Sequence, residues 1–454
     1  MAPTDLNTQL TDIVERHPVP GAALGIWHEG DVRFAFHGYT NVENPLPVNS
    51  RTRFQIGSIS KTYAVTAVMR LVSDGVVTLD DPVRQHVPEL RLADQAALET
   101  LVVRNLLNHT AGWDGSMTSG CRDIDAPLKE FVHCINELEQ LDPPGARVAY
   151  NNSGVALAGR LLENVTGQDY EDAIRSLLLE PIGLNRTGFT TDDLVAERCT
   201  VGHQENDDGN FHVARPWRWP RAANPEGGLV SSLGDQLAWA AFHLGDGTTE
   251  DGSRLIKGSH LAAMRRPTKC LVGSSLGDAV GLGWFLTEID GTLVASHPGS
   301  TNGQHAELLL VPEHRFAVAV ATNGAPSGMR FLRETTNAVL ADHLGLHRPR
   351  PQLRPYNTDR DGDVAGVFAS SLLRLEVSVD DDGELHMSLA LRSGDEIVAS
   401  DGIESCRLGV LSGDRGEFLV LDGALEGLMG AFVRDANGTV TELSLDTRLH
   451  QRAV

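Results

Sequence analysis

The chain has 454 residues, of which 41% are hydrophobic and 22% charged, enough for a sizeable core and for two domains rather than a disordered polymer. Its formal net charge of −23 at pH 7 excludes nucleic acid and anionic membrane surfaces as partners, because both carry charge of the same sign. Cys121, Cys134, Cys199, Cys270 and Cys406 are scattered, with no Cys-x-x-Cys and no Cys/His spacing for zinc, so they read as free thiols of a reducing compartment. The start "MAPTDLNTQL" lacks the basic and apolar blocks of a signal peptide, no stretch reaches the length of a membrane span, and a cytoplasmic location is expected.

In chain order, "GAALGIWHEGDVRFAFHG" predicts a hairpin, with a Glu29-Gly30-Asp31 turn followed by alternation through Val32, Phe34 and Phe36. After Ser58 the period changes. Ala64, Val65, Val68, Leu71 and Val72 fall at helical spacing, Ala67 and Val76 widen the apolar surface, and Gly75 offers a stop. "NNSGVALAGRLLENVTG" predicts a second helix closing at Gly167, and "SSLGDQLAWAAFHL" a third that opens on a Ser232…Asp235 capping box. Strands return in "VGLGWFLTEIDGTLVASHPGS" and "QHAELLLVPEHRFAVAVATNG", and "FLRETTNAVLADHLG" adds a helix. Strands at both ends of a helical middle predict an α+β domain whose antiparallel sheet is assembled from both ends of the segment 1–345.

Residues 346–355 hold prolines and no periodicity and read as a linker. Beyond it Leu373, Leu375, Val377 and Val379 alternate with polar residues, and turns at "DDDG", "SGDE", "SGDRGE" and "DANG" recur at hairpin spacing. Residues 356–454 are therefore expected to form a small all-β barrel or sandwich, with a lipocalin-like barrel the preferred form.

Only Lys61, Lys129, Lys257 and Lys269 are lysines, and Lys61 follows two serines in "FQIGSISKTY". Positions i and i+3 share a helix face, so Ser58 and Lys61 can touch while Ser60 points elsewhere. An amine in apolar surroundings has its neutral form favoured and can take a serine's proton. Ser58 also stands where a strand gives way to a helix, so its amide and the helix N-terminus face a developing oxyanion.

Ser58-x-x-Lys61, Tyr150-Asn151-Asn152 and His297-Pro298-Gly299, in that order, resemble the motifs of the serine β-lactamase and penicillin-binding-protein superfamily. The segments "VVRNLLNHTAGW", "LLLEPIGLNRTGF" and "NPEGGLVSSLGD" are similar to its connecting segments, most of all in the class C β-lactamase-like, D-aminopeptidase and esterase branch, over residues 10 to 345. The resemblance implies a β-lactamase/transpeptidase-like catalytic domain with an antiparallel sheet, flanking helices and a helical subdomain. It assigns Ser58 as the acylated nucleophile, Lys61 as proton acceptor or relay, and Tyr150 as partner base and acid. Which member of the Lys–Tyr pair is the base stays open. Asn152 is assigned to hold Lys61 and a substrate carbonyl, the amides of Ser58 and Ser300 to form the oxyanion hole, and the strand from His297 through Gly299 to line the cleft.

Many relatives carry Lys-Thr-Gly where this chain has His-Pro-Gly, and a histidine there offers no permanent cation to the carboxylate of a penicillin. That departure favours D-aminopeptidase or esterase chemistry on small peptide-like substrates. A penicillin-binding-protein-type thioesterase that releases and cyclises a nonribosomal peptide from a carrier protein is the alternative, and a non-catalytic binding protein on the same fold is the rival of another class. Acceptor choice is expected to draw on a barrel arginine such as Arg434 or Arg448. No metal or organic cofactor is implied.

Overall fold

A computed structural model describes residues 3–115, 127–189, 197–206, 208–393, 396–398, 405–413 and 415–453. Cys121 and parts of the "SGDE" and "SGDRGE" turns lie outside the described residues. Helix α1 (Leu6–Arg16) is capped by the Asp5 carboxylate, which accepts from the amides of Asn7 and Thr8. Strands β1 (Gly21–His28) and β2 (Asp31–Gly38) pair from Gly21↔Gly38 to His28↔Asp31. The turn is therefore the two residues Glu29 and Gly30, both at positive φ (51° and 101°), and Asp31 belongs to the strand. Such a turn matches the right-handed twist of the flanking strands.

The helical middle contributes α2 (Ser60–Ser73), α3 (Asn152–Thr166) and α4 (Leu233–Leu244). The Asn151 side chain caps α3 by accepting from Gly154 N, and left-handed Gly167 ends it. The Ser232 hydroxyl accepts from Asp235 N at the start of α4, as the capping-box spacing predicts. Strands β3 (Phe285–Ile289), β4 (Thr292–Thr301), β5 (Gln304–Val311) and β6 (Phe316–Thr322) follow, and α5 (Gly328–Leu344) ends at left-handed Gly345.

The two ends of the catalytic domain meet in the sheet, where β1 pairs with β6 from Ala22↔Thr322 to His28↔Phe316. The order β2-β1-β6-β5-β4-β3 is antiparallel throughout. Alternation splits its residues between two cores. Leu24, Ile26, Val318 and Val320 pack with Leu10 and Ile13 of α1 and Phe331 and Val339 of α5. Ala23, Leu308, Leu310, Ala317 and Ala319 face the helical middle, where α2 is buried on nearly every side.

Leu346 still packs on the catalytic core, and Leu353–Arg354 pairs with the barrel, so the linker is anchored at both ends. Strands β7 (Gly366–Ala369), β8 (Leu373–Val379), β9 (Leu385–Ser393), β10 (Cys406–Leu411), β11 (Glu417–Val420), β12 (Met429–Arg434), β13 (Val440–Leu445) and β14 (Arg448–Arg452) pair each with the next. Phe368↔Arg452 pairing of β7 with β14 closes an eight-stranded antiparallel barrel. Leu375, Val377, Leu385, Met387, Phe418 and Phe432 fill its interior. Val379, the last residue of β8, is exposed although it pairs with buried Leu385.

Cys270 and Cys406 are free thiols, but Cys134 is disulfide-bonded, a correction to the expectation that all five stay reduced. Among the described residues no helix is long and apolar enough to cross a membrane.

Phe418 is fully buried and lies 4.9 Å from Phe432, centroid to centroid. Phe418→Ala is expected to cost about 3–5 kcal/mol. A urea titration should show the barrel unfolding at lower denaturant than in the native protein; an unshifted midpoint would mean that this ring does not hold the barrel together.

Candidate active site

The site forms where the turn into α2 meets the free edge of β4. β3 starts at Phe285, opposite Ser296, so beyond Ser296 that edge of β4 meets the 3₁₀ turn Gly57–Ile59 instead of β3. Gly57 sits at φ +49°, where a side chain is strained, and a Cβ on it would stand 2.6 Å from Ser300 N. A Cβ on Gly299 would overlap the Ile56 carbonyl oxygen and stand 2.8 Å from Ser58 N. The two glycines let Gly57–Ser58 and Gly299–Ser300 lie backbone against backbone, which brings the amides of Ser58 and Ser300 to one wall.

Ser58 is half-buried in a 3₁₀ turn, and Lys61, one turn on, is 1% exposed. Lys61 Nζ donates to Ser58 Oγ at 3.0 Å and to the Glu226 carbonyl oxygen at 2.6 Å. It also lies 5.1 Å from the centre of the Tyr150 ring. Ser60 faces away as predicted: buried, its hydroxyl accepts from Leu229 N at 3.1 Å. Asn152 is the first residue of α3, and its side-chain Oδ1 has no partner. The second anchor of Lys61 is therefore the Glu226 main chain, not the Asn152 amide, because the one-turn helix Asn224–Gly227 packs directly on α2.

Tyr150 is held from three directions. His109, at φ +59°, stacks on its ring at 4.6 Å, and the His109 Nδ1 accepts from Asn151 N at 3.1 Å. Burial, with Lys61 and His297 nearby, keeps His109 neutral by pushing its pKa well down. The barrel supplies the other two contacts. Tyr150 N donates to the Thr447 carbonyl at 3.0 Å, and the Arg448 guanidinium lies 4.8 Å from the ring centre. Next to these, Arg147 forks between Asp142 and Glu442, and the Ser275 hydroxyl donates to Asp446 at 2.7 Å. Arg434, the other barrel arginine expected near the site, bonds the carbonyls of Asp361 and Gly438 within the barrel and does not line the cleft.

A cleft of about 560 Å³ opens over Ser58, Lys61, Tyr150, Asn152, Ser300 and Arg448. Pro298 and Gly299 line it, whereas the His297 ring is turned beneath, 5.2 Å from Phe285. Burial and then the neighbouring Lys61 push the His297 pKa down to about 3, so its imidazole is neutral. Two residues not singled out in the sequence complete the site. His109 carried no signal beyond its place in "NHTAGW". Glu226 lies within "NPEGGLVSS", and both of its carboxylate oxygens are buried on the cleft wall without a partner.

Burial pushes the Glu226 carboxyl up from 4.5 to about 7, with Lys61 and Arg448 pulling the other way. The folded chain then holds this proton more tightly than the unfolded chain. The resulting stability is full below 4.5 and lost as the pH rises through about 7. The stability of Glu226→Gln relative to the native protein should therefore grow between about pH 5 and about pH 8 in urea titrations. A flat difference would mean an ordinary carboxyl. For the two arginines, Arg448→Ala is expected to slow acylation of Ser58 by about tenfold, through loss of the group over Tyr150. Arg434→Ala should leave it within about twofold; equal losses in stopped-flow assays would overturn the distinction.

The Beta-lactamase family model matches residues 6–343. Penicillin-binding protein 4 of Amycolatopsis lactamdurans is 31% identical over 336 residues, 73% of this chain and 88% of that protein. Among solved structures, SurE superposes with a TM-score of 0.78 at 25% identity, over 99% of this chain and 98% of its own, and it has also been solved with D-Leu. The D-amino acid amidase of Ochrobactrum anthropi SV3, complexed with D-phenylalanine, superposes with a TM-score of 0.63 at 25% identity, over 75% of this chain and 99% of its own. Family match, fold and the meeting of Ser58, Lys61 and Tyr150 agree: the chain belongs to the beta-lactamase family.

Proposed function

We propose that the protein is a serine acyl-enzyme hydrolase of amide or ester bonds in small, D-configured, peptide-like substrates. The observation that carries this reading is the 3.0 Å contact between Ser58 Oγ and a buried Lys61 Nζ beneath the Tyr150 ring. In the reaction, Ser58 Oγ attacks the carbonyl carbon while its proton passes to the Lys61–Tyr150 pair. The amides of Ser58 and Ser300 receive the oxyanion, and the pair returns the proton to the leaving group. Water then attacks the acyl-enzyme and Ser58 is restored. The unpartnered Oδ1 of Asn152 supports a role for that side chain in accepting from a substrate N–H.

The D-configuration is supported by the D-phenylalanine and D-Leu complexes of the two similar structures. His297 supplies no cation to the cleft, which speaks against penicillin hydrolysis as the main activity. Arg448 favours a second reading, in which a peptide thioester on a carrier protein acylates Ser58 and an amine of the same peptide displaces it. A cation reaching in from the barrel is a group that simple hydrolysis does not require. The cytoplasmic location expected from scattered thiols loses part of its support to the Cys134 disulfide, since oxidising compartments favour such bonds.

A fluorophosphonate probe should label the native protein and Ser60→Ala, and fail on Ser58→Ala and Lys61→Ala. Ser60→Ala should lose about 1–3 kcal/mol of stability as Leu229 N loses its acceptor. A panel of p-nitrophenyl esters, D- and L-aminoacyl anilides, a chromogenic cephalosporin and a peptidyl thioester ending in a D-residue then separates the two readings. Absence of labelling on the native protein, with no turnover in the panel, would sink both.

A further inference from the structure

The acyl-transfer chemistry gives the Glu226 side chain no task. Its main-chain carbonyl anchors Lys61, a role that any residue could fill. Glu226 is nevertheless 2% exposed and lines the cleft, and its buried carboxylate has no hydrogen-bond partner on either oxygen. A buried carboxylate without a partner is costly, and a scaffold position would be served better by glutamine or an apolar residue. Glu226 is also close to the nucleophile, because a single atom, Lys61 Nζ, touches both its carbonyl and Ser58 Oγ. Trp219 lines the same wall with its indole N–H unpartnered, 3.4 Å from where a Cβ on Gly227 would stand.

Resting on the Ser58 acyl-transfer reading, we propose that the Glu226 carboxylate, with the Trp219 indole beside it, is the subsite for a primary ammonium of the substrate. Two empty carboxylate oxygens match the N–H groups of one ammonium as charge-assisted bonds, and an indole attracts a cation to its face. Lys61 and Arg448 act on this wall and would repel a cation, and the other carboxylates lining the cleft are engaged, Glu426 with Arg330, Asp446 with Ser275 and Glu307 with Thr336, so an amine-bearing substrate needs the unpartnered carboxylate of Glu226. The empty site avoids much of the cost of a bare anion, because burial lets the carboxyl hold its proton until a cation arrives. The ammonium could come from the acyl donor, as the α-amine next to the scissile carbonyl, or from an amine acceptor that displaces Ser58. In the second case the ammonium first gives one proton to the Glu226 carboxylate, the amine nitrogen then bonds the acyl carbon, the Oγ–carbon bond breaks, and a second proton from that nitrogen ends on Ser58 Oγ.

The two sources separate in one experiment on the full chain. The donor arm compares D-alanine p-nitrophenyl ester with its N-acetyl form. The acceptor arm supplies a neutral N-acetyl ester and measures transfer to glycinamide against transfer to methanol; neither acceptor carries a carboxylate for Arg448. In at least one arm the native protein should prefer the amine-bearing partner by about tenfold or more, the size of one or two charge-assisted bonds. Glu226→Gln should reduce that preference to about twofold or less, and Glu226→Asp should restore part of it. Equal use of amine and neutral partners by the native protein overturns the inference whether or not the variants fold. So does a preference that survives in Glu226→Gln. Ester turnover without amine preference defeats this subsite alone, whereas silence of every ester, with no probe labelling, defeats the acyl-transfer reading and the subsite with it.

Discussion

The site depends on keeping one amine, Lys61 Nζ, out of water and fixed between Ser58 Oγ and the Glu226 carbonyl. A lysine 1% exposed is costly to bury, and it stays in place because the surrounding elements give its nitrogen two oxygen partners and an aromatic face. That requirement explains much of the local architecture. α2 must start immediately after Ser58 so that one turn separates the two side chains. The Asn224–Gly227 turn must lie on α2 to present its carbonyl. Gly57 and Gly299 must lack side chains so that β4 closes on the same wall.

The barrel is part of this construction and not an appendage. Thr447 holds the Tyr150 main chain, Arg448 covers the ring, and Glu442 and Asp446 tie the barrel to Arg147 and Ser275. Two of these contacts come from the tight connection between β13 and β14, where Asp446 and Thr447 both adopt positive φ. The hairpin tip thus carries a backbone acceptor, a carboxylate and a guanidinium into the catalytic domain within three residues. A catalytic domain alone would leave Tyr150 with His109 on one side and an open face on the other. The cleft would also lose the cation that opposes Glu226. Charge at the Glu226 wall is accordingly shared between the two domains: Lys61 and Glu226 come from the first, and Arg448 from the second.

The elements and the reactive pair were legible from local pattern. The hairpin, the helices after Ser58 and Asn151, the capping box at Ser232 and the alternation in the barrel each repeat over a few residues with a fixed period. The Ser58–Lys61 contact is an i, i+3 neighbour relation that a helix dictates by itself, and the same geometry turns Ser60 away. Spacing could also bring Tyr150 and the His297 strand forward as candidates through resemblance, though not say which way the His297 ring would turn. It points beneath the cleft because strand alternation, set by pairing with β5, puts Ser296, Pro298 and Ser300 on the cleft face and His297 on the other, in a register that no short-range pattern reveals.

Other features followed from contacts between residues far apart in the chain. Lys61 meets residue 226 rather than Asn152, His109 comes to lie under Tyr150, and Arg448 reaches the cleft while Arg434 stays within the barrel. Arg434 and Arg448 are indistinguishable in composition and lie on neighbouring parts of one barrel; only the docking of the β13–β14 tip on the catalytic domain separates them. The sequence by itself determined which segments fold into which elements and which serine has a lysine beside it, because those relations lie within a turn or two of chain. The tertiary structure decided what surrounds that pair, including the bare carboxylate of Glu226, because burial and partnership depend on segments far apart in the chain.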